Sequence, residues 1–382
     1  MDGRPGHCPA MTADFDSASL TVRLGAIAAN FRTMRRLAGR AAVSAVVKAD
    51  GYGLGAKMVV PALAGAGCDT FFVAQLGEGM ALRPLLPQAR IFVLDGAAPD
   101  AVPALIAHNL TPVLNSLPDI AAWAAAASRG QRDAAIHIDT GMNRLGLKSD
   151  ELSLLAAEWR ERLSGINLVL LMSHLACADD LGPEAAMNRR QLTRFRAALA
   201  MLPPAPASLA ASSGIFLGKD YHFDLVRPGI GLYGVGPKGR ENPMKGVAVL
   251  NARVLQSRRI DKGDSVGYAA TFRAKRPTML ATVALGYADG ISRAASNKGW
   301  AVFGGARAPF AGRVSMDLLT LDVTDLKKPP QAGDAVELLG ESVPVIDVAE
   351  AWGTNAYEVL TGFSPRIPRR YTDAGAKKEK TA

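Results

Sequence analysis

A chain of 382 residues with 49% hydrophobic and 21% charged residues is too long for one small core and too apolar to stay disordered, so it should fold as a large barrel with a companion domain or as two ordinary domains. A formal charge of +9 raises nucleic acid as a partner, but the basic pairs Arg35-Arg36, Arg189-Arg190, Arg258-Arg259 and Arg369-Arg370 are dispersed and lack interleaved aromatics, which leaves a solvated basic surface. The absence of an uncharged apolar stretch of about eighteen residues argues against a membrane partner, Asp2, Arg4, Asp14 and Asp16 in the opening segment argue against export, and Cys8, Cys68 and Cys177, which lack metal-ligand spacing and cannot all pair, fit a reducing cytoplasm.

In chain order, residues 1–13 read as a loose leader. A strand candidate at Leu20 to Leu24 could pair with either domain. Short runs of Val, Ile, Leu and Phe then recur at Val43 to Lys48, Thr70 to Gln75, Arg90 to Asp95, Leu110 to Asn115, Ala135 to Asp139, Ile166 to His174, Ser208 to Ser212 and Asp224 to Gly231. Ala- and Leu-rich helical stretches separate most of them. Eight strands alternating with helices predict a (β/α)₈ TIM barrel over residues 14–241. After the Pro-Gly-rich segment Pro228 to Pro243, strand candidates at Val247 to Arg259, Ser265 to Phe272, Met279 to Leu285, Leu318 to Val323 and Ala335 to Leu339 predict a second, mainly β C-terminal domain over 242–371. Residues 372–382 read as a disordered tail.

Lys48, His174, Ser213 and Arg227 fall at or just after the carboxyl ends of barrel strand candidates, the face on which barrel active sites sit. Lys48 ends an apolar strand and precedes a glycine-rich turn, Ala49-Asp50-Gly51-Tyr52-Gly53-Leu54-Gly55. Taken alone such a lysine snorkels to the surface. A poorly hydrated one, however, favours its neutral amine, which can attack an aldehyde. The run Gly229-Ile230-Gly231-Leu232-Tyr233-Gly234 satisfies the dinucleotide pattern G-x-G-x-x-G, but it follows the eighth strand candidate directly after Pro228, with no βαβ unit and acidic ribose ligand to support that use. Glycines that let backbone amides approach a single phosphate fit better. The five histidines are scattered and suggest no metal site.

These segments resemble those of the alanine racemases, which bind pyridoxal 5'-phosphate. The resemblance rests on Lys48 followed four residues later by Tyr52, on Asp139-Thr140-Gly141-Met142-Asn143-Arg144-Leu145-Gly146, Ser173-His174-Leu175-Ala176 and Val226-Arg227-Pro228-Gly229, and on Val266-Gly267-Tyr268, Gly286-Tyr287-Ala288-Asp289-Gly290 and Gly312-Arg313-Val314-Ser315-Met316-Asp317. It runs from about Leu20 to Tyr371. It implies that Lys48 carries the cofactor and that Tyr52, Ser213, Gly229 and Ile230 cup its phosphate. It also implies that Arg227 faces the pyridine nitrogen. Because a guanidinium does not readily give up its proton, Arg227 would leave that nitrogen unprotonated and weaken the electron sink, limiting side reactions.

Racemisation needs an acid/base group on each face of the α-carbon. The resemblance implies that Lys48 handles the proton of D-alanine and Tyr268, from the partner subunit of a head-to-tail homodimer, that of L-alanine. A tyrosine ordinarily titrates near about 10. Tyr268 therefore needs positive charge nearby, and the family arrangement links it through His174 to Arg227. Arg144 and the backbone amide of the partner's Met316 are the implied carboxylate contacts, with Tyr287 and Asp317 shaping the entrance. The expected activity is interconversion of L- and D-alanine in the cytoplasm, supplying D-alanine for peptidoglycan.

Four positions depart from the family pattern. His137 stands where many relatives carry a carbamylated lysine that holds the arginine, Leu54 replaces a common histidine, Ser315 a frequent cysteine, and Pro365 a phosphate-contacting tyrosine. An amino-acid decarboxylase of the same architecture is a rival weakened by Arg227, since such relatives usually place a carboxylate at the ring nitrogen. A non-enzymatic cofactor carrier is a rival weakened by the β domain, since known carriers consist of the barrel alone.

Overall fold

The computed structural model describes residues 16–127, 130–179, 182 and 185–372. The expected leader 1–13, with Cys8, lies outside them, as does the expected tail beyond Thr372. Thr372 itself closes a strand. The described chain divides into two compact units, one of residues 23–247 with the C-terminal end from Tyr371, the other of residues up to Val22 with 248–370.

The first unit is a (β/α)₈ barrel. Its chain segments follow β1 (Ala18–Arg23), which belongs mostly to the other unit, and comprise β2 (Ala42–Val43), β3 (Ala45–Val46), β4 (Thr70–Val73), β5 (Arg90–Val93), β6 (Thr111–Leu114), β7 (Arg132–His137), β8 (Ile166–Met172), β9 (Ala207–Ser208) and β10 (Leu225–Val226). β3 to β9 form a continuous parallel sheet, and β10 pairs in parallel with β2. Backbone bonds from Asp224 N–H to the Ala207 carbonyl (3.0 Å) and from Arg227 N–H to Ala210 (2.9 Å) join β9 to β10. The ring is therefore closed, and at Ser44, between β2 and β3, both the backbone amide (3.0 Å) and the hydroxyl (3.1 Å) donate to the Val226 carbonyl. Both faces of such strands are covered, by helices outside and by layered side chains inside, so they read as apolar runs without alternation. Phe71, Phe72, Ile91, Val113, Leu114, Ile136 and Leu171 are buried accordingly.

Helix Leu24–Ala38 buries Leu24, Ile27, Phe31 and Met34 on one face. Its buried Asn30 donates to the carbonyls of Leu232 and Lys245 and accepts from the Lys245 amide, which ties the helix to the chain leaving β10. A buried amide satisfied at both ends fixes register as well as position.

The second unit is mainly β. It contains β11 (Ala248–Ile260), β12 (Ser265–Val266), β13 (Phe272–Arg273), β14 (Thr278–Val283), β15 (Trp300–Phe303), β16 (Ala306–Pro309), β17 (Leu319–Asp322), β18 (Ala335–Leu339) and β19 (Arg369–Thr372). The long β11 is its spine, pairing antiparallel with β1, β18 and β14. β1 lies within the stretch 14–241 expected for the barrel, yet it runs with this unit: Leu20 and Val22 turn into its core opposite Leu250 and Ala248. The expected strand Ser265 to Phe272 is instead a hairpin, β12 and β13, with Tyr268 in the turn. Gly267, Ala269 and Ala270 all have positive φ there, which no continuous strand accommodates. Helices Val345–Trp352 and Ala356–Thr361 complete the unit. No helix among the described residues is long and apolar enough to cross a membrane.

Candidate active site

Lys48 leaves the carboxyl end of β3 into a turn of opposite hand to a normal helix. Ala49, Asp50, Gly51 and Tyr52 have φ of 53°, 52°, 63° and 57°. Left-handed backbone costs an L-residue roughly 1–2 kcal/mol, so three non-glycines in succession of four need external support. Two carboxylates supply it. Glu78 accepts from the Ala49 amide at 2.6 Å and, through its other oxygen, from Ala74 and Gln75 beyond β4. Asp50 accepts from the Ala56 amide at 2.8 Å, pinning the turn to the next helix. Burial, followed by the positive charge of Arg144, lowers the Lys48 pKa, while Glu78 and Asp95 act against the shift. The amine is thereby moved toward its neutral, nucleophilic form.

Beyond β9 and β10 the chain builds a cradle. Ser212 Oγ accepts from the amides of Gly229 (2.9 Å) and Gly231 (3.0 Å), drawing the two segments together. The buried Ile230 amide and the Ser213 hydroxyl make no hydrogen bond among the described residues. A Cβ added at Gly229 would lie 2.1 Å from Tyr52 Oη. Donors without acceptors beside a glycine that leaves its backbone accessible are what a bound phosphate needs. The cradle fits the phosphate of pyridoxal phosphate.

Arg227 is buried. One guanidinium nitrogen donates to Ser208 Oγ and another to the Ser173 carbonyl at 2.6 Å, and the ring of Phe72 lies 6.0 Å away. No carboxylate pairs with it among the described residues, and burial pushes its pKa down to about 9, which leaves it charged at neutral pH. A guanidinium has five N–H donors. Those left over suit a neutral acceptor such as an unprotonated ring nitrogen. The His174 ring is pushed down to about 3, by burial first and then by Arg227, Arg144, His137 and Lys48, so it is neutral at pH 7.

His137 follows the same rule, pushed down to about 4 by burial and by Arg227, against the pull of Asp139. Its Nδ1 lies 3.0 Å from Asn115 Oδ1, whose amide nitrogen donates to the carbonyls of Leu94 and Val113. Because the Asn115 nitrogen is committed to two acceptors, its oxygen must accept, so Nδ1 of His137 carries the proton and Nε2 the lone pair. Arg144 stands at the exposed end of a loop held by Asp139, whose carboxylate accepts from the amides of Gly141, Met142 and Asn143.

The other expected site residues belong to the second unit. Tyr268 is 70% exposed, Met316 54% and Tyr287 44%, unusual values for large apolar side chains. They sit on neighbouring loops. Tyr287 and Ala288 donate their amides to the carbonyls of Ser315 and Met316 (3.0 and 2.9 Å), and a Cβ at Gly286 would lie 2.3 Å from the Met316 oxygen. Asn297 accepts from the Gly312 amide at 2.7 Å and donates to Thr271 at the end of the Tyr268 turn. Among the described residues no group of His, Cys, Asp and Glu side chains could hold a metal ion.

Sequence reasoning missed the residues that hold this machinery in place: Glu78, Ser208, Ser212 and Gln191. The buried Gln191 donates to Thr140 and to the His174 carbonyl and accepts from the Ala176 amide, fixing the loop after β8. Its signal was present as an amide on the buried face of helix Ala186–Met201. Glu78 was legible only as a helix-capping acid.

Residues 22–237 match the model of the alanine racemase N-terminal domain and residues 247–371 that of the C-terminal domain. The chain is 48% identical over 364 residues to the alanine racemase of Rhodospirillum rubrum, covering 94% of this chain and 96% of that one. It is 46% identical over 364 residues to the catabolic alanine racemase of Agrobacterium fabrum, covering 94% and 93%. The structure of the Bartonella henselae alanine racemase with covalently bound pyridoxal phosphate superimposes with a TM-score of 0.89 at 42% identity, covering 93% of this chain and 99% of that one.

Proposed function

Because the chain belongs to the alanine racemase family and interconverts L- and D-alanine with pyridoxal phosphate, we propose that Lys48 and Tyr268 are its two proton-transfer groups, acting on opposite faces of the α-carbon. When bound, pyridoxal phosphate withdraws electrons from that carbon and makes its proton removable. Lys48 would hold the cofactor through its aldehyde, and its amine, when neutral, takes or returns the proton on the D face. The Tyr268 phenol does the same on the L face.

The remaining groups position and polarise. Tyr52, Ser213, Gly229 and Ile230 hold the phosphate. Arg227 would donate to the ring nitrogen of bound cofactor without protonating it, which would keep electron withdrawal moderate and favour prompt return of the proton to carbon. His174, neutral at pH 7, joins the Tyr268 phenol to Arg227 by hydrogen bonding and carries no charge of its own. Arg144 binds the alanine carboxylate as a fork, assisted by the Met316 amide. Tyr287 and Asp317 narrow the entrance.

Tyr268, Met316, Tyr287 and Asp317 act from the partner subunit in a head-to-tail homodimer. Their exposure in the single chain supports that assignment. The barrel over 14–241 and the β domain over 242–371 are the functional halves, the second serving the neighbour's site. A cytoplasmic place of action fits the Cys68 thiol, which is buried and in no disulfide among the described residues.

The observation that carries the reading is the turn at Lys48: a desolvated amine on a left-handed corner that two carboxylates hold in place. Lys48→Ala should abolish the visible absorbance band that forms when pyridoxal phosphate joins a lysine. A band of undiminished intensity in that variant would assign the cofactor to another lysine.

A further inference from the structure

Arg366 joins two loops that the proposed mechanism brings to the substrate. Its Nε lies 3.0 Å from Asp289 Oδ1, and its Nη2 donates to Asp317 Oδ1 at 2.8 Å. Asp289 follows Tyr287 in one loop, and Asp317 follows Met316 in the other.

The two carboxylates differ in a way that gives the bridge direction. The Asp289 side chain is 8% exposed, and its second oxygen accepts from the Gly286 amide at 2.8 Å, so it is fixed and in need of a cation. The Asp317 side chain is 54% exposed. Its only recorded partner among the described residues is Arg366. The backbone of Arg366 is itself anchored, because the Ser364 amide donates to the Asp289 carbonyl at 3.1 Å and the Ile367 amide to the Ser364 carbonyl. The guanidinium thus starts from a fixed carboxylate and reaches an exposed position on the Met316 loop. Asp317 and Asp289 hold the Arg366 pKa above its ordinary value.

The loop that Arg366 restrains has an amide to offer. The carbonyls of Ser315 and Met316 are taken by the amides of Tyr287 and Ala288, and the Ser315 amide donates to Leu318 at 2.9 Å. The Met316 amide donates to nothing among the described residues. Its direction is set by the turn 315–318, and the outer corner of that turn is held at Asp317.

We propose that Arg366 is a positioning residue for the alanine carboxylate, clamping Asp317 to Asp289 so that the Met316 amide keeps the direction in which it meets the substrate. The inference rests on the reading that this amide contacts the carboxylate. The Arg366–Asp317 half of the bridge is exposed and contributes little to folding. The clamp therefore acts on substrate binding more than on stability.

Arg366→Lys is the informative variant. An ammonium can neutralise Asp289 and keep the unit folded, but a point charge lacks the fork needed to span both carboxylates. Since enantiomers have an equilibrium constant of unity, kcat/KM must fall by the same factor in both directions. With the holoenzyme dimer intact by sedimentation, KM for L- and D-alanine should each rise about tenfold with kcat within about twofold, the signature of lost ground-state binding. Amide hydrogen exchange across 314–318 should accelerate. Unchanged KM with unchanged exchange would overturn the clamp, whereas faster exchange with unchanged KM would overturn the contact between Met316 and substrate on which it stands. A fall in kcat at unchanged KM would assign Arg366 a different role and overturn the proposal as well.

Discussion

At the scale of single residues, the site works by withholding water from cations. Lys48, His137, His174 and Arg227 are all shifted toward their neutral forms chiefly by burial, and positive neighbours lower Lys48, His137 and His174 further. The two proposed proton-transfer groups are distinguishable. In the Tyr268→Phe variant, solvent deuterium should still enter D-alanine through Lys48, while exchange into L-alanine falls by about a hundredfold or more. Equal exchange from both enantiomers, at the parent rate, would remove Tyr268 from its role. The histidines carry a second consequence. His137 and His174 stay neutral in the folded protein down to about 4 and about 3, whereas in the unfolded chain they take up protons near the ordinary value of 6.5. Below pH 6.5 the unfolded state therefore binds more protons, and stability falls as the pH drops toward 4. His137 alone should account for a loss of about 2 kcal/mol by pH 5. Urea unfolding at pH 7 and pH 5 measures it, and identical midpoints would contradict the burial of these rings. The residues proposed to do the chemistry were legible because they sit in short motifs. Glu78 was not, since it acts on Ala49 from 29 positions away through a backbone amide, and no local pattern records that contact.

At the scale of elements, the strand ends do the positioning and the turns after them hold the groups. All eight barrel strands were readable as apolar runs, because a strand covered on both faces has no polar side to show. The corner after Lys48 was readable only as glycine-rich. Its left-handed run through Ala49, Asp50 and Tyr52 depends on Glu78 and on the Asp50 bond to Ala56, and neither follows from composition. The Tyr268 segment misled in the opposite direction, since Ser265 to Phe272 has strand-like residues but turns at Gly267 and Ala269. The phosphate cradle gives the sharpest test at this scale. A side chain at Gly229 would meet the Tyr52 hydroxyl at 2.1 Å and the ring carbon that bears it at 2.9 Å. Gly229→Ala should weaken pyridoxal phosphate binding by about tenfold, the equivalent of about 1.4 kcal/mol of overpacking. Absorbance titration of the cofactor-free protein reads it directly, and an unaltered Kd would mean that the cradle lies elsewhere.

At the scale of the whole molecule, two units share one chain whose order does not match their assembly. β1 precedes the barrel in sequence but pairs with β11, more than two hundred residues later. The alternation of Leu20 and Val22 announced a half-buried strand without naming its partner, because hydrophobic pattern sets which face is buried and not what covers it. The same limit applies between subunits. Tyr268, Tyr287 and Met316 are exposed, and the proposed neighbour that would cover them is the barrel of a second copy. Mixing Lys48→Ala and Tyr268→Phe subunits tests this most directly. If each site draws Lys48 from one subunit and Tyr268 from the other, every heterodimer regains one intact site of its two, and racemase activity returns in proportion to heterodimer formed. Heterodimers demonstrated by mass that remain as inactive as either parent would contradict the shared site.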